Sequence, residues 1–432
     1  MKKATKSWVI IYSSGLLLII VIFTGLFLYQ STFQKNSSTK PLTEKWGTYI
    51  NISDSKEFVR EQLEAAHQVG FKYVRIPVDQ LPFESEYDKK VLLVQYAIDE
   101  AIDEKMIPIV NFTGGTPGNF SGDQYQQIII QLKHDISHFI KNNSDKGIMW
   151  EAWNEPNGAF WVNNGIQTPQ VTNDWISFDD TIAKLVGKYD KHSLFISGDL
   201  EGNPQVNKAL LGKIRRSSSF KKSVAVSFHP YLSKTDNNGR PESLLSSFPR
   251  YTNTNPYVVT EFGYSVPTNS RVYEQRLGIW TYKQQAAYLT RAVLIMDEKG
   301  MPFFTLFNTS NKITNYGIEN NGKLNLAGKE LKSLGHKLRG YHFESRVETS
   351  NNRVLALKYS KQFAPSKIVY WSSDDQTILA KVSGIGNVTA KMQPQIHVKE
   401  TIYFELLIVI LLSIIIFLYC VKWISKRKSK KR

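Results

Sequence analysis

Apolar positions recur along the chain in two alternating patterns. Short runs rich in β-branched and aromatic residues predict buried strands, and amphipathic stretches between them predict helices. The predicted strands are residues 46–52, 73–78, 107–112, 148–153, 194–197, 224–228, 257–260 and 303–307. The predicted helices include residues 56–69, 89–105, 124–142, 179–189 and 283–299.

Eight strands alternating with helices over about 300 residues predict an α/β fold, a (β/α)8 TIM barrel. We assign it to residues 45–340. The alternative is a doubly wound open sheet. The strand count, and a first strand without a glycine-rich phosphate-binding turn after it, favour the barrel.

The pattern changes after residue 340, where short strands are predicted at 353–359, 367–371 and 377–382. Asn351-Asn352 and Asp374-Asp375 supply turn signals between them. We predict a small C-terminal β-domain in residues 341–401 with a structural role. The alternative is a segment that only tethers the barrel to the apolar run that follows.

Two long apolar runs flank these domains, at residues 8–29 and 402–421. A stretch of about 20 apolar residues is long enough to span a bilayer, so both are predicted transmembrane helices. The alternative for the first run is a cleaved signal peptide. Such a peptide would have a shorter apolar region, about 7–15 residues, and a small-residue cleavage site.

Basic residues accumulate in the tails outside the two runs, residues 1–7 and 422–432. Because lysine and arginine favour the cytoplasmic side, both termini are predicted to be cytoplasmic. The linker at 30–44 and the two domains are then extracytoplasmic, and the protein belongs to the cell membrane. The predicted partners include the lipid bilayer, through two anchors.

The net charge of +16 resembles that of a nucleic-acid-binding protein. Three positive charges lie in the N-terminal tail and seven after residue 421, so about +6 remains between the tails. We therefore predict no nucleic-acid partner. The single cysteine, Cys420, excludes a disulfide within one chain, and the sequence has no His/Cys cluster for a metal. No metal or other cofactor is predicted.

Two glutamates follow predicted strands in contexts that suit catalysis: Glu155 after the fourth strand and Glu261 after the seventh. Cleaving a glycosidic bond requires one protonated and one ionised carboxyl group across a sugar ring. Barrel enzymes keep such groups at the C-terminal ends of their strands. Glu151 is an alternative acid, but it lies in mid-strand, before the Asn-Glu-Pro turn.

Companion residues appear at other strand ends. Arg75, at the end of the second strand, can hydrogen-bond a nucleophilic carboxylate and keep it ionised. His229 and Tyr231 lie two residues apart after the sixth strand and should point the same way. Asn154 can bond a sugar 2-hydroxyl. Trp161, in the loop after the fourth strand, is a candidate platform for a sugar ring.

As a set, these residues resemble the clan of retaining (β/α)8 glycoside hydrolases with paired glutamates after strands four and seven. The nearest resemblance is to the cellulase-like family 5, with some similarity to the xylosidase-like family 39, over about residues 45–338. The matching residues are Arg75, Asn154-Glu155-Pro156, His229 with Tyr231, and Glu261-Phe262-Gly263.

This resemblance implies that Glu155 is the general acid/base and Glu261 the nucleophile. Arg75 and Tyr231 would support Glu261, Asn154 would bind the 2-hydroxyl, and His229 would orient the site. Two features depart from family 5. The family's usual histidine after strand three is absent, and Phe307 stands at strand eight, where a tryptophan usually forms the floor for the sugar. Phe307 offers a smaller apolar face.

The sequence therefore predicts a membrane-anchored, extracytoplasmic retaining β-glycosidase acting on a polysaccharide or oligosaccharide. A transglycosylase would use the same residues. A third alternative is a non-catalytic glycan-binding or scaffold component of polysaccharide export or cell-envelope assembly, with partners in that assembly. The complete set of candidate catalytic residues argues against it.

Overall fold

The computed structural model describes residues 40–53, 55–79, 87–162, 168–235, 237–267 and 277–399, and five helical positions between 411 and 419. Apart from those five positions, the predicted spans at 8–29 and 402–421 lie outside the described residues, as do both basic tails. No helix within the described residues is long and apolar enough to cross a membrane.

Eight parallel strands form the central sheet, in the order β7-β6-β5-β4-β3-β2-β1-β8. Their bounds are β1 Trp46–Tyr49, β2 Tyr73–Asp79, β3 Ile107–Thr113, β4 Met149–Glu151, β5 Leu194–Glu201, β6 Ala225–His229, β7 Tyr257–Val259 and β8 Phe304–Leu306. The first strand pairs with both the second and the eighth, so the sheet curls round on itself. The predicted barrel is confirmed.

The ring closes between β7 and β8 through two hydrogen bonds outside the regular ladder. The Thr305 hydroxyl donates to the Thr260 carbonyl oxygen, and the Phe307 N–H donates to the Phe262 carbonyl oxygen at 2.9 Å. These bonds bring the end of β7, where Glu261 follows, against the end of β8.

Helices surround the barrel. Their bounds are α1 Lys56–Val69, α2 Tyr87–Asp103, α3 Gly122–Asn142, α4 Pro169–Tyr189, α5 Lys208–Ile214, α6 Ser218–Lys222, α7 Ser243–Ser247, α8 Tyr282–Glu298 and α9 Leu326–Lys337. Local sequence fixes several ends. Ser55 caps the start of α1, and Gly70, with φ of 86°, ends that helix in a left-handed conformation.

The barrel interior begins with an apolar floor. One residue from each of seven strands or strand starts meets there: Tyr73, Ile109, Met149, Ile196, Ala225, Val258 and Phe303. In β1 the position belongs to Gly47, where a Cβ atom would lie 2.3 Å from the Tyr73 carbonyl oxygen. A larger residue at position 47 would therefore collide with β2.

A polar layer lies directly above this floor. Side chains two residues apart on a strand share a face, so six strands present a second inward residue two positions after the floor residue. These residues are Arg75, Asn111, Glu151, Ser227, Thr260 and Thr305, and all are buried. The barrel thus changes from apolar to polar toward the C-terminal ends of its strands, where the predicted site lies.

The chain after the barrel forms the predicted C-terminal β-domain. Four strands pair in the order β11-β12-β13-β16, and β14 pairs with β15. Their bounds are β11 His342–Arg346, β12 Val354–Lys361, β13 Ala364–Ser372, β14 Ile378–Val382, β15 Gly386–Ala390 and β16 Gln395–Val398. The two remaining strands, β9 Glu319–Asn320 and β10 Lys323–Leu324, form a hairpin in the connection after β8. Strands β11, β15 and β16 were not among the sequence predictions.

The β-domain is fixed to the barrel by partly buried polar contacts. The Trp371 indole donates to Glu242 at 2.8 Å, and the guanidinium of Arg291, from α8, binds the same carboxylate. The Tyr288 hydroxyl donates to Asp375 at 2.7 Å. These contacts make the β-domain part of one packed unit with α8 and the connection after β6, which is more than a tether.

A buried ion pair also joins the start of the barrel to α8. Lys45 Nζ lies 2.5 Å from Asp297 Oδ1, and the two side chains are 1% and 0% exposed. Asp297→Ala leaves a buried ammonium without its partner, so we expect a loss of about 3–5 kcal/mol in the free energy of unfolding, measured by urea denaturation.

The matched control is Glu344→Ala, which removes the partly exposed Lys358–Glu344 pair. Its expected loss is below about 1 kcal/mol because solvent screens that pair. Equal losses in the two variants would contradict the importance of the buried pair.

Candidate active site

Arg75 lies at the centre of the polar layer and is fully buried. Its Nε is 2.6 Å from Glu151 and its Nη2 is 2.6 Å from Asp199, while Nη1 donates to Glu261. Nη2 also donates to the Asn154 side-chain oxygen at 3.3 Å. One guanidinium from β2 therefore holds acids that belong to β4, β5 and the end of β7.

The charge of Arg75 is stabilised by these contacts. Burial alone would lower the pKa of Arg75, but its three carboxylate partners raise it well above its usual value. A buried cation of this kind is stable only with close, hydrogen-bonded anions. The cluster consequently depends on all its members being present together.

Glu261 follows β7 and is almost fully buried. Its Oε1 accepts from Arg75, and its Oε2 accepts from the Tyr231 hydroxyl at 2.9 Å. Burial raises the pKa of Glu261, and the cationic His229 and Arg75 oppose that rise. Burial and the neighbouring Glu261 also raise the pKa of Tyr231, so its hydroxyl keeps its proton and donates it in the hydrogen bond.

Glu155 lies in the loop after β4 with φ of 40°, in the left-handed region that non-glycine residues seldom occupy. Its N–H donates to the Asp199 carbonyl oxygen at 2.9 Å, which ties the loop to β5. Its Oε1 is 2.8 Å from Nδ1 of His229. Backbone and side chain are thus both fixed by neighbours on other strands.

The two glutamates face each other across a short gap. One oxygen of Glu155, one oxygen of Glu261 and a ring nitrogen of His229 all lie within 4.8 Å of one another. Retaining glycosidases place their carboxyl groups about 5–5.5 Å apart, whereas inverting ones need about 6.5–9.5 Å to admit a water. The spacing here fits the retaining arrangement.

These three side chains also have enough donor atoms to bind a metal ion. However, the oxygens of Glu261 already accept from Arg75 and Tyr231, and a guanidinium beside the cluster repels a cation. The arrangement suits proton transfer and nucleophilic attack better than cation binding.

His229 bridges the acid pair and the polar layer. Its Nε2 is 2.5 Å from Asp199 Oδ1, and its Nδ1 faces Glu155. Burial alone would lower the pKa of His229, but Asp199 and Glu261 raise it well above its usual value. Both ring nitrogens then carry protons and donate. Because His229 donates to Oε1 of Glu155, Oε2 is the oxygen of Glu155 that this contact leaves available for a proton.

Asp199 was not found from the sequence. Burial alone would raise its pKa, but Arg75 and His229 lower it, so Asp199 is an ionised partner to both cations. Gly198 and Asp199 have φ of 97° and 52°, and the β5–β6 register shifts between Ser197 and Leu200. This bulge turns the Asp199 side chain into the barrel, and a strand pattern alone does not reveal it.

The comparisons with known proteins agree with this geometry. Residues 32–308 match the family model described as Cellulase (glycosyl hydrolase family 5), which is more than half of the chain. The chain belongs to glycosyl hydrolase family 5. It is a glycoside hydrolase of the retaining type, and the resemblance recognised in the sequence is confirmed. No curated protein matches the sequence.

Solved structures support the family 5 fold. A family 39 glycoside hydrolase from Bacteroides cellulosilyticus WH2 shares 15% identity, with a TM-score of 0.59 and coverage of 84% of this chain and 81% of that one. A family 30 endoxylanase from Clostridium papyrosolvens C71 shares 13% identity (TM-score 0.53; 80% and 85% covered). A family 5 broad-specificity endoglucanase from Clostridium acetobutylicum shares 15% identity (TM-score 0.50; 67% and 96% covered).

The two aromatic residues predicted to contact the sugar, Trp161 and Phe307, lie in different surroundings. Trp161 is fully buried, with its ring centroid 5.5 Å from that of Trp153 and 5.3 Å from that of Phe178. Both neighbouring rings belong to the core, so Trp161 packs inside the family 5 domain, and its prediction as a sugar platform was wrong. Phe307 is only partly buried and lies beside Tyr231 in the polar mouth of the barrel.

Glu151, the alternative acid, belongs to the supporting layer. It is fully buried, and besides Arg75 it accepts from the Ser227 hydroxyl at 2.6 Å and the Thr260 hydroxyl at 3.0 Å. The exposed Glu201 was also missed by sequence analysis. Its backbone makes two hydrogen bonds with Asn157, and although the side chain reaches solvent, partial loss of solvent around its carboxyl group and the neighbouring Glu155 raise its pKa.

The pairing of Asp199 with both cations gives a testable expectation for this family 5 enzyme. Asp199→Asn keeps the shape but removes the negative charge, so Arg75 and His229 lose a common anchor. We expect kcat to fall by about 100-fold, in the range seen when one preorganised electrostatic group is lost. The pKa of His229 should fall as well, which NMR titration of the imidazole would measure.

Asp179→Asn is the matched control. Asp179, on α4, is as buried as Asp199, and burial raises its pKa to about 7. It accepts a hydrogen bond at 2.7 Å from the hydroxyl of Ser197, which lies on β5 like Asp199. It has no ion pair with Arg75 or His229, so kcat should be unchanged. A similar loss of activity in both variants would show that Asp199 acts only through general packing.

Proposed function

We propose that this glycoside hydrolase is a membrane-anchored, extracytoplasmic β-glycosidase that hydrolyses a polysaccharide or oligosaccharide by double displacement. The observation that carries the proposal is the short gap between Glu155 and Glu261, with Arg75 and Tyr231 both bonded to Glu261. Family membership and the intact pair of glutamates argue against a non-catalytic scaffold.

In the first step Glu261 attacks the anomeric carbon while Glu155 gives its proton to the glycosidic oxygen. The bond to the leaving sugar breaks, and an ester forms between Glu261 and the glycosyl unit. Before attack, Arg75 and Tyr231 hold the Glu261 carboxylate in place. His229 occupies Oε1 of Glu155, so the transferred proton leaves from Oε2.

In the second step Glu155, now ionised, takes a proton from water, and the resulting hydroxide displaces Glu261. The configuration at the anomeric carbon is thereby retained, and Glu155 ends protonated as it began. Asn154 supports both steps. Its side-chain oxygen accepts from Arg75, which orients its NH2 group to donate to the sugar 2-hydroxyl.

An aromatic group forms the floor for the sugar. The Phe307 ring centroid lies 4.9 Å from that of Tyr49, 5.6 Å from that of Tyr316 and 6.2 Å from that of Tyr231. Phe307 takes the place of a larger indole and offers its apolar face to the pyranose ring. The neighbouring tyrosines extend that surface toward Glu261.

The location and substrate class rest on the sequence and on the similar proteins. The apolar runs 8–29 and 402–421, each with a basic tail, support two anchors with both termini in the cytoplasm. Structural neighbours include an endoxylanase and an endoglucanase, which supports a polysaccharide substrate. Anchoring at the surface would also allow contact with envelope or polysaccharide-assembly partners.

The role of Glu155 can be tested by chemical rescue. Glu155→Ala removes the acid/base, so hydrolysis of a substrate with a poor leaving group should fall by about 100- to 10,000-fold. With an activated aryl glycoside the first step needs no acid. In the second step azide can attack the glycosyl-enzyme without a base, whereas water needs one. We expect azide to restore turnover and to yield a β-glycosyl azide, identified by NMR.

Glu201→Ala serves as the control, because it removes a carboxylate near Glu155 that takes no part in proton transfer in this mechanism. Azide should not accelerate that variant. If azide fails to accelerate Glu155→Ala, or accelerates both variants alike, Glu155 is not the acid/base.

A further inference from the structure

The first described residues enter the barrel on the face opposite the active site. β1 begins at Trp46, whose indole donates to the Gly70 carbonyl oxygen at the end of α1, at 2.8 Å. In a (β/α)8 barrel, strands begin and helices end on the face away from the catalytic mouth. We call this side the basal face and define it by the helix-to-strand connections 70–72, 104–106, 143–148, 190–193, 223–224, 248–256, 299–303 and 338–341.

The last described strand leads the chain out on the same face. β16 runs antiparallel to β13, with Val398 opposite Lys367, and the Lys399 N–H donates to Ser366 at 2.8 Å. The ammonium of Lys367 donates to the carbonyl oxygen of Lys337, the last residue of α9. The outgoing chain therefore lies beside the basal end of α9.

Charge is distributed unequally between the two faces. The basal connections contain Lys72, Lys105, Lys146, Lys191, Arg250, Lys299 and Arg339, against the acids Glu104, Asp145 and Asp190. Among the acids, Glu104 lies 2.8 Å from Nδ1 of His67, and Asp190 is buried. Among the cations, Lys146 pairs with Asp99 at 2.6 Å and Lys299 is partly buried, so the exposed excess lies mainly in Lys191, Arg250 and Arg339. The described connections at the catalytic mouth are balanced, with Lys234, Arg240, Lys312 and Lys323 against Glu155, Glu242, Glu261 and Glu319.

The helix dipole explains only part of this excess. Cations in the last turn of a helix are favoured by its carbonyl end, as with Lys141, Lys188 and Lys337. That effect fades beyond the last turn. Lys191, Arg250 and Arg339 are exposed and lie in the connections themselves, so their concentration on one face has a different cause.

An exposed aromatic residue accompanies these cations. Phe363, 56% exposed, lies in the tight turn between β12 and β13, next to Lys361. A Cβ atom on Gly340, in the basal connection 338–341, would lie 3.3 Å from Nζ of Lys361, so this turn belongs to the basal side. Aromatic and basic side chains together are typical of surfaces at the depth of lipid headgroups.

We propose that the basal face rests on an anionic lipid bilayer and that the active site therefore opens away from the membrane. The inference rests on the proposed anchoring, because the chain leaves this face toward residues 402–421 at one end and toward 8–29 at the other. Helices of 21 residues, such as α3 and α4, extend about 30 Å between the two faces.

This orientation narrows the substrate class. A cleft held about 30 Å from the bilayer, the length of the long barrel helices, reaches chains that extend into the extracytoplasmic space. It does not reach a glycosidic bond directly next to a lipid headgroup. The substrate is then a long polymer and not the first sugar of a glycolipid.

The orientation can be measured on the full-length chain in vesicles. In a Cys420→Ser background, Asn253→Cys places a single donor dye on the basal face, and Val206→Cys places one at the mouth, where Val206 is 73% exposed. Lipids with headgroup-attached acceptor dyes report distance through short-range energy transfer. We expect transfer from position 253 to be several-fold stronger than from position 206.

The role of charge is tested by lipid composition. Phosphatidylglycerol added to phosphatidylcholine vesicles should increase transfer from position 253. Reversal of three basal cations, Lys191→Glu with Arg250→Glu and Arg339→Glu, should abolish that increase. The matched control reverses three exposed lysines on the outer helices α4 and α9, Lys184→Glu with Lys329→Glu and Lys332→Glu, and should behave like the parent.

The outcomes separate this inference from the anchoring itself. If the full-length chain does not float with vesicles, the anchoring is wrong and the orientation falls with it. If the chain floats but position 206 shows transfer equal to or stronger than position 253, only the orientation is overturned. An unchanged response to phosphatidylglycerol in the basal variant would overturn the lipid contact.

Discussion

The buried guanidinium of Arg75 is the interaction on which the rest of the site depends. It binds acids from three other strands. One of them, Asp199, also binds His229 and the backbone N–H of Glu155, and another, Glu261, is itself the candidate nucleophile. An uncompensated charge at this depth would be strongly unfavourable. The charge network and the barrel therefore stabilise one another, since each strand end must be in place for every ion pair to form.

Much of this was predictable because a barrel brings all its strand ends together. Once the eight strands were recognised, the side chains of Arg75, Glu155, His229 and Glu261 had to meet at one mouth, and the structure brings them together with Tyr231 and Asn154. The polar layer follows the same logic, because each of its members stands two residues after a floor residue. Their catalytic roles remain predictions.

Other features depend on tertiary detail that a sequence pattern does not contain. Asp199 reaches the interior only because a bulge at Gly198 adds one residue to β5. Trp161 lies in a loop, where sequence favours exposure, yet it packs between the rings of Trp153 and Phe178. Strands β11, β15 and β16 are short and weakly patterned, and they form through pairing with stronger neighbours.

The central claim is that Glu261 is the nucleophile of a retaining glycosidase. Its most direct test is to incubate the full-length enzyme with a panel of activated 2-deoxy-2-fluoro glycosides and to measure the intact mass. The account predicts a mass increase of one fluoroglycosyl unit for the matching sugar, mapped by peptide analysis to Glu261. An adduct on another residue would contradict it. So would the absence of an adduct with a sugar whose unfluorinated glycoside the enzyme hydrolyses.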